Sequence, residues 1–202
     1  YPSWRHTAMP ATIMEARRPV ADQEKREPMS PKKHAERVLL LSDTHGHLDQ
    51  RIAEVIRDCD YAIHAGDIMG AHILEQLQPR KIVIAVAGNN DVAAIWNRDE
   101  ADIVSALPKS TSLKLPGGTI RIEHGHRLGG FPDHDQLRWD HADVKLVVYG
   151  HTHKRVIDQQ AEPWIVNPGA AGKDVMVVVS VHDTNLKVFA AIVRSCAPGG
   201  GR

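Results

Sequence analysis

The chain has 202 residues, and 25 Lys and Arg against 25 Asp and Glu leave it with no formal net charge. That length suits one domain with a substantial core, and the balanced charge excludes the polybasic field of a dedicated nucleic-acid binder while leaving room for a small phosphorylated ligand. The two cysteines, Cys59 and Cys196, exclude a disulfide framework or zinc knuckle, and no run reaches the roughly eighteen apolar residues of a membrane span.

Residues 1–36 are rich in Pro, Arg, Lys and Glu, as in Glu24-Lys-Arg-Glu-Pro-Met-Ser-Pro, with no sustained period and no apolar signal-peptide core. Such a segment buries too little apolar surface to offset its ordering entropy, so it is expected to be a disordered extension. Residues 196–202 are expected to be a flexible tail, which leaves residues 37–195 as the domain, and a reducing cytoplasm is the expected compartment.

Val38-Leu-Leu-Leu predicts a buried strand, and Leu48 to Arg57, with Leu48, Ile52, Val55 and Ile56 on one stripe, predicts a helix. A second strand is expected at Tyr61 to Ala65, a second helix at Ala71 to Leu77 and a third strand at Lys81 to Ala87. This alternation implies a parallel sheet with right-handed crossovers. Beyond Ser110 the pattern changes to a hairpin, Ser112 to Leu115 and Thr119 to Glu123 around Pro116-Gly-Gly. A helix over Asp133 to Ala142 and strands at Lys145 to Tyr149, Trp164 to Val166, Val175 to Val181 and Leu186 to Val193 complete the reading.

The predicted strands run into clusters of metal-competent residues. These are Ser42-Asp43-Thr44-His45-Gly46, His64-Ala65-Gly66-Asp67, Gly88-Asn89-Asn90-Asp91, Glu123-His124-Gly125-His126 and Gly150-His151-Thr152-His153. Strand carboxyl ends in open α/β sheets converge on one crevice, so the clusters can meet in space. Asp43 and His45 are two apart, as are His151 and His153, and in extended backbone such residues point to the same side. Oxygen and imidazole donors without cysteine suit Mn, Fe, Ni, Co or Zn. Singly, Asp43 and Asp67 read as helix caps or turn formers and Asn89 as a left-handed turn residue; the ordered set reads as a metal site.

In this order D-x-H, G-D, G-N-x-D, H-G-H and G-H-T-H resemble the calcineurin-like metallophosphoesterase superfamily. With Asn167-Pro168-Gly169 and the short chain, the sequence is most similar to its small prokaryotic phosphodiesterase-like branch, over about Arg37 to Val193. The resemblance implies an α/β fold, a two-sheet αββα sandwich, and two divalent metal ions, Mn first and Ni, Co, Fe or Zn as alternatives. It implies one metal on Asp43, His45, Asp67 and His153 and a second on Asp67, Asn89, His124 and His151, with Asp67 bridging and a bridging hydroxide attacking phosphorus. The candidate catalytic residues are Asn90, Asp91 and His126. Asp91 would orient its neighbours, and Asn90 stands where many members carry a histidine acid, so it can contact a phosphoryl oxygen but cannot protonate a leaving group.

Of the other histidines, His6, His34, His134 and His141 are expected to face solvent and His64 to be partly buried and neutral. His47, His126 and Arg127 are candidates for the pocket wall, against plain packing or solvation. Cys59 reads as an apolar helix-end residue, and Trp96 and Trp139 as packing or capping a surface. The expected function is metal-dependent phosphodiester hydrolysis of a small phosphate ester, with no membrane partner and a homo-oligomer left open. The alternatives are a phosphomonoesterase or nucleotide phosphatase and a non-catalytic scaffold like the eukaryotic retromer subunit that resembles the family.

Overall fold

The computed structural model describes residues 35–171, 175–182 and 185–192. The expected extension, apart from Ala35 and Glu36, and the expected tail lie outside these residues, as do His6 and His34. Two five-stranded sheets form the centre. The first runs β10-β9-β1-β2-β3, from β1 (Glu36–Leu41), β2 (Tyr61–His64), β3 (Ile82–Ala85), β9 (Val175–His182) and β10 (Asn185–Ile192). The second runs β4-β5-β6-β8-β7, from β4 (Ser110–Leu115), β5 (Gly118–Glu123), β6 (Leu146–Val148), β7 (Val156–Asp158) and β8 (Trp164–Asn167).

The parallel pairing expected from the opening β-α alternation holds for β1, β2 and β3, while neither sheet as a whole is purely parallel. β1, β2 and β3 are parallel, with Val38 beside Tyr61 and Tyr61 beside Ile82, but β9 pairs antiparallel to β1. In the second sheet β5, β6 and β8 are parallel, and the antiparallel strands β4 and β7 close its edges.

The alternation of side chains sets the layers. Val38, Leu40 and Ile63 point from the first sheet toward Ile120, Ile122, Leu146, Val148 and Val166 of the second, forming the core between them. Leu39, Leu41 and Ala62 point the other way, onto Ile52 and Ile56 of α1 (Gln50–Ile56), Ile73 of α2 (Ala71–Gln76) and Val104 of α3 (Ala101–Ala106). The outer face of the second sheet, Val147, Tyr149 and Ile165, is covered by Leu137 of α4 (His134–Asp140). The result is the αββα sandwich. Full burial of each Leu, Ile or Val contributes about 1.5–3 kcal/mol. No helix among the described residues is long and apolar enough to cross a membrane.

The helix ends follow local chemistry. Asp49 accepts from Arg51 N at 2.9 Å to start α1, and Asp133 accepts from Asp135 N at 2.9 Å to start α4. The sequence reading missed α3, a 3-10 turn at Arg98–Glu100 ahead of it, and β7.

Candidate metal centre

β1, β2 and β3 end on one edge, and the chain after each turns abruptly. Asp43 N bonds Gly66 O at 2.9 Å, His45 N bonds Asp67 O at 3.0 Å and Gly46 N bonds Ile68 O at 2.8 Å, so the loops after β1 and β2 are zipped together. Asp43, His45, Asp67, His151 and His153 all adopt positive φ, between 47° and 67°. The two i, i+2 pairs are therefore not extended, as the spacing suggested; left-handed turns aim the side chains inward. Each such turn costs an L-residue about 1–2 kcal/mol, a strain typical of functional sites.

All seven predicted ligands come together in a closed chain of contacts. Asp43 Oδ1 lies 3.4 Å from His153 Nε2, which lies 3.0 Å from His45 Nε2, which lies 3.9 Å from Asp67 Oδ2. Asp67 Oδ1 lies 3.4 Å from His124 Nε2, which lies 3.1 Å from Asn89 Oδ1, itself 3.0 Å from His151 Nδ1. The backbone N–H of His151 donates back to Asp43 at 3.1 Å. Donor atoms of Asp43, His45, Asp67 and His153 all lie within 4.8 Å of one another, which makes this group a candidate cation site.

The donor chemistry fits a divalent cation. His124 Nδ1 must donate its proton to the Ala65 carbonyl at 2.8 Å, so in the neutral ring the Nε2 lone pair faces Asp67 Oδ1 and Asn89 Oδ1. Likewise His45 Nδ1 lies 3.1 Å from Met69 Sδ, a weak acceptor, leaving Nε2 turned toward His153 Nε2. Lone pairs so opposed need a proton or a cation between them. Burial disfavours the imidazolium of His124, yet the Asp67 carboxylate outweighs it and raises the pKa. Burial opposes ionisation of Asp67 too, but hydrogen bonds from His124 and Asn90 push its pKa well below the ordinary range. Asp43 goes the other way, raised by burial in spite of the Ser42 hydroxyl bonded to it at 2.6 Å. A divalent cation in the cluster reverses that last effect.

Two glycines are required by close approach. A Cβ on Gly88 would overlap Asp67 Oδ1, and one on Gly150 would lie 2.8 Å from both Asp43 Oδ2 and Ser42 Cβ.

The candidate catalytic residues differ in their placement. Asp91 is buried, and its carboxylate accepts from Ile68 N at 2.9 Å, Met69 N at 2.9 Å, Gly88 N at 2.8 Å and Trp96 Nε1 at 3.1 Å. It therefore ties the loop after β2 to the loop after β3. The Asn90 amide donates to Asp67 Oδ2 at 2.7 Å, so its partner is a carboxylate of the cluster. His126 is exposed, its ring 5.6 Å from that of His124 and 6.4 Å from that of His151. His47 is exposed. Arg127 is engaged by Glu123 at 3.2 Å and Asp140 at 3.0 Å.

Two expectations of solvated histidines are corrected. His134 bonds Asp158 Oδ2 at 3.0 Å and the Tyr149 hydroxyl at 3.2 Å, and His141 Nε2 lies 3.3 Å from Glu123 Oε2. Both are drawn in by carboxylates distant in sequence. His64 is fully buried. Its Nδ1 accepts from Gly66 N at 3.2 Å, Nε2 donates to Thr44 Oγ1 at 3.0 Å, and burial lowers its pKa to about 4, so it is a neutral brace between the first two loops.

The sequence reading gave no supporting role to two residues, Asn167 and His72. Asn167 is fully buried and donates to Gly150 O at 2.7 Å and Thr152 Oγ1 at 3.1 Å while accepting from Gly169 N at 2.8 Å, which holds the loop bearing His151 and His153. Its place in Asn-Pro-Gly, a turn signal beside a ligand loop, was the available clue. His72 Nε2 donates to Gly46 O at 3.0 Å, and no sequence pattern marks it.

The pattern of the calcineurin-like phosphoesterase superfamily domain matches residues 37–184. A phosphodiesterase of Methanocaldococcus jannaschii is 26% identical over 167 residues, covering 76% of this chain and 96% of its own. A probable metallophosphoesterase of Mycoplasma pneumoniae is 29% identical over 143 residues, 66% of this chain and 78% of its own. Vacuolar protein sorting 29 from Cryptosporidium parvum superposes with a TM-score of 0.61 at 20% identity, over 78% of this chain and 97% of that one. An archaeal phosphodiesterase does so with a TM-score of 0.56 at 19% identity, over 77% and 99%. Likeness at these identities shows the fold alone. The family pattern, by contrast, runs through all five ligand clusters and most of the chain, and the protein belongs to the calcineurin-like phosphoesterase superfamily.

Proposed function

We propose that the protein is a metal-dependent phosphodiesterase that hydrolyses small phosphate esters at a dinuclear centre. The observation that supports this most is the position of Asp67, whose Oδ2 faces His45 at 3.9 Å while Oδ1 faces His124 at 3.4 Å. One carboxylate thus stands between two donor sets. Asp43, His45, Asp67 and His153 would hold one cation, and Asp67, Asn89, His124 and His151 the other. Bound there, divalent cations supply Lewis acidity, neutralising phosphoryl oxygens and lowering the pKa of the attacking water.

The chain's own residues do the remainder. Asp91 fixes the backbone that carries Asp67, and Asn90 orients the Asp67 carboxylate. His126, exposed beside His124, stands at the rim of the cluster as a wall of the substrate pocket. Imidazole-rich sets favour Mn, Co, Ni, Fe or Zn over Mg, which prefers oxygen ligands; Mn is the proposed ion. The preference for diesters is supported by the relative named as a phosphodiesterase.

The test is metal counting on purified protein, followed by turnover of matched aryl phosphodiesters and monoesters after chelation and resupply of single metals. Two ions per chain and faster diester hydrolysis with Mn are expected. Full activity in chelator, or Mg as the best ion, would refute the site; faster monoester hydrolysis would make it a phosphomonoesterase. Bound metal with no turnover of either ester would make it a scaffold.

A further inference from the structure

We propose that the pocket between the β4–β5 hairpin and the end of α4 is a subsite for a second anionic group, a phosphate or a carboxylate, carried on the ester arm away from the scissile phosphorus. The proposal rests on the phosphoesterase reading above and names the class of ester the site selects.

The register of the hairpin builds the pocket floor. Ser112 pairs with Arg121 and Ser110 with Glu123, and because Ile120 and Ile122 fill the core between the sheets, Arg121 and Glu123 project from the opposite face. A pocket of about 490 Å³ opens there, reaching from Lys109 and Arg121 to His124 and His126 beside the metal cluster. That volume suits a small organic ligand. One end of such a ligand would therefore meet the cluster and the other would meet the two cations.

The charges of the pocket are unevenly matched. Arg127 is taken up by Glu123 and Asp140, and His141 also faces Glu123. Among the described residues Arg121 has no such partner. Among the described residues its hydrogen bonds go only to the hydroxyls of Ser112 at 3.3 Å and Ser110 at 2.6 Å, and its Nε is buried without an acceptor. Lys109, exposed at the same end, carries no ion pair among the described residues. A guanidinium offers five donors in a planar fork, and a sheltered one left without an anion is costly. A phosphate or carboxylate arriving in the pocket supplies the missing acceptors in bidentate geometry. Lys109, Arg121 and Arg127 carry three positive charges into the pocket against two on Glu123 and Asp140, and both carboxylates face Arg127, so the excess positive charge lies with Arg121 and Lys109.

The test uses p-nitrophenyl alkyl phosphodiesters whose alkyl arm, two to six carbons long, ends in phosphonate, carboxylate or hydroxyl. With wild-type protein and Mn, the best anionic arm should lower KM at least about tenfold relative to its hydroxyl counterpart, the size expected of a charge-assisted hydrogen bond. Whether phosphonate or carboxylate gains more identifies the anion. In Arg121→Gln, and to a smaller extent in Lys109→Ala, the ratio of the two KM values should fall toward one, with melting temperatures confirming that both variants fold. Equal KM for all three end groups in the wild type, or a ratio that survives Arg121→Gln, overturns the subsite. Should no ester be hydrolysed, the phosphoesterase reading fails by itself and calorimetry on Mn-loaded protein decides the subsite. Propane-1,3-bisphosphonate should then bind at least about tenfold tighter than propylphosphonate, with the gap lost in Arg121→Gln. Equal binding overturns the proposal.

Discussion

Asn90 bonds Asp67 twice, from its side-chain amide to Oδ2 at 2.7 Å and from its backbone N–H to Oδ1 at 2.9 Å. The amide that the sequence reading placed against a phosphoryl oxygen is thus engaged with the carboxylate at the centre of the cluster. Asn90→Ala should weaken metal binding by about ten- to a hundred-fold, as loss of a ligand's supporting hydrogen bond does, with the rate at saturating metal falling far less. Titration against a chelating dye reads the first quantity and steady-state kinetics the second. Unchanged metal affinity with a large loss of rate would instead assign the amide to the substrate.

The same position carries no acid. General-acid catalysis is worth about a hundred- to ten-thousand-fold, so aryl phosphodiesters should slow steeply as the leaving-group pKa rises, provided chemistry limits turnover. Asn90→His should flatten that dependence and help poor leaving groups most. A wild-type series that is already flat would make His126 the proton donor of record.

Asp67→Ala should lose both metals, whereas His153→Ala should retain one, because Asp67 alone faces both donor sets. Metal content of the two purified variants measures this. Equal occupancy in both would show two independent sites and no shared carboxylate.

How much of this was legible in the sequence depended on distance along the chain. The five ligand clusters could be read because each lies just beyond a recognisable strand, and the fold places strand ends together. Their backbone shape could not, since five aspartates and histidines at positive φ look no different in sequence from extended ones. His134 and His141 were misread because their carboxylates, Asp158 and Glu123, are 24 and 18 residues away and no local pattern joins them. β7 is only three residues long. The helix at Ala101–Ala106 buries one side chain, Val104, too little for a visible stripe. Its available signal was Asn97 followed three residues later by Glu100, whose carboxylate accepts from Asn97 N at 3.2 Å in capping-box fashion.

Asn167→Ala should cost on the order of 3 kcal/mol, because the Gly169 N–H would be left buried without its acceptor and the Gly150 carbonyl would keep only the Thr152 N–H at 2.8 Å of its two donors. In a domain of this size that lowers the melting temperature by roughly 6–12 °C. Thermal unfolding of metal-free protein checks it without invoking activity. A change under a degree would mean that water replaces the side chain.

Stability should also fall in acid through Asp158. Burial opposes its charge, but Arg138 at 2.6 Å and His134 at 3.0 Å outweigh that and lower its pKa from 3.8 to about 2. A depressed carboxyl stabilises the fold above its ordinary pKa and loses that contribution as pH falls through the folded value. Urea unfolding between pH 4 and 2 should therefore show a slope that Asp158→Asn reduces. An identical slope in the variant would remove Asp158 from the acid-sensitive set.

The left-handed turns at Asp43, His45, Asp67, His151 and His153 set evolution of heat resistance against evolution of activity. Glycine at such a position relieves about 1–2 kcal/mol of steric strain against about 0.5–1 kcal/mol of added chain entropy, so each ligand position is one where discarding the ligand relaxes the backbone. A library selected only for survival on heating, with metal withheld, would drift toward glycine at the exposed positions His45 and His153, where no buried donor loses its acceptor, and lose its chemistry while gaining robustness. Heating in the presence of the ion would apply the opposite pressure, since binding then rewards the strained conformers.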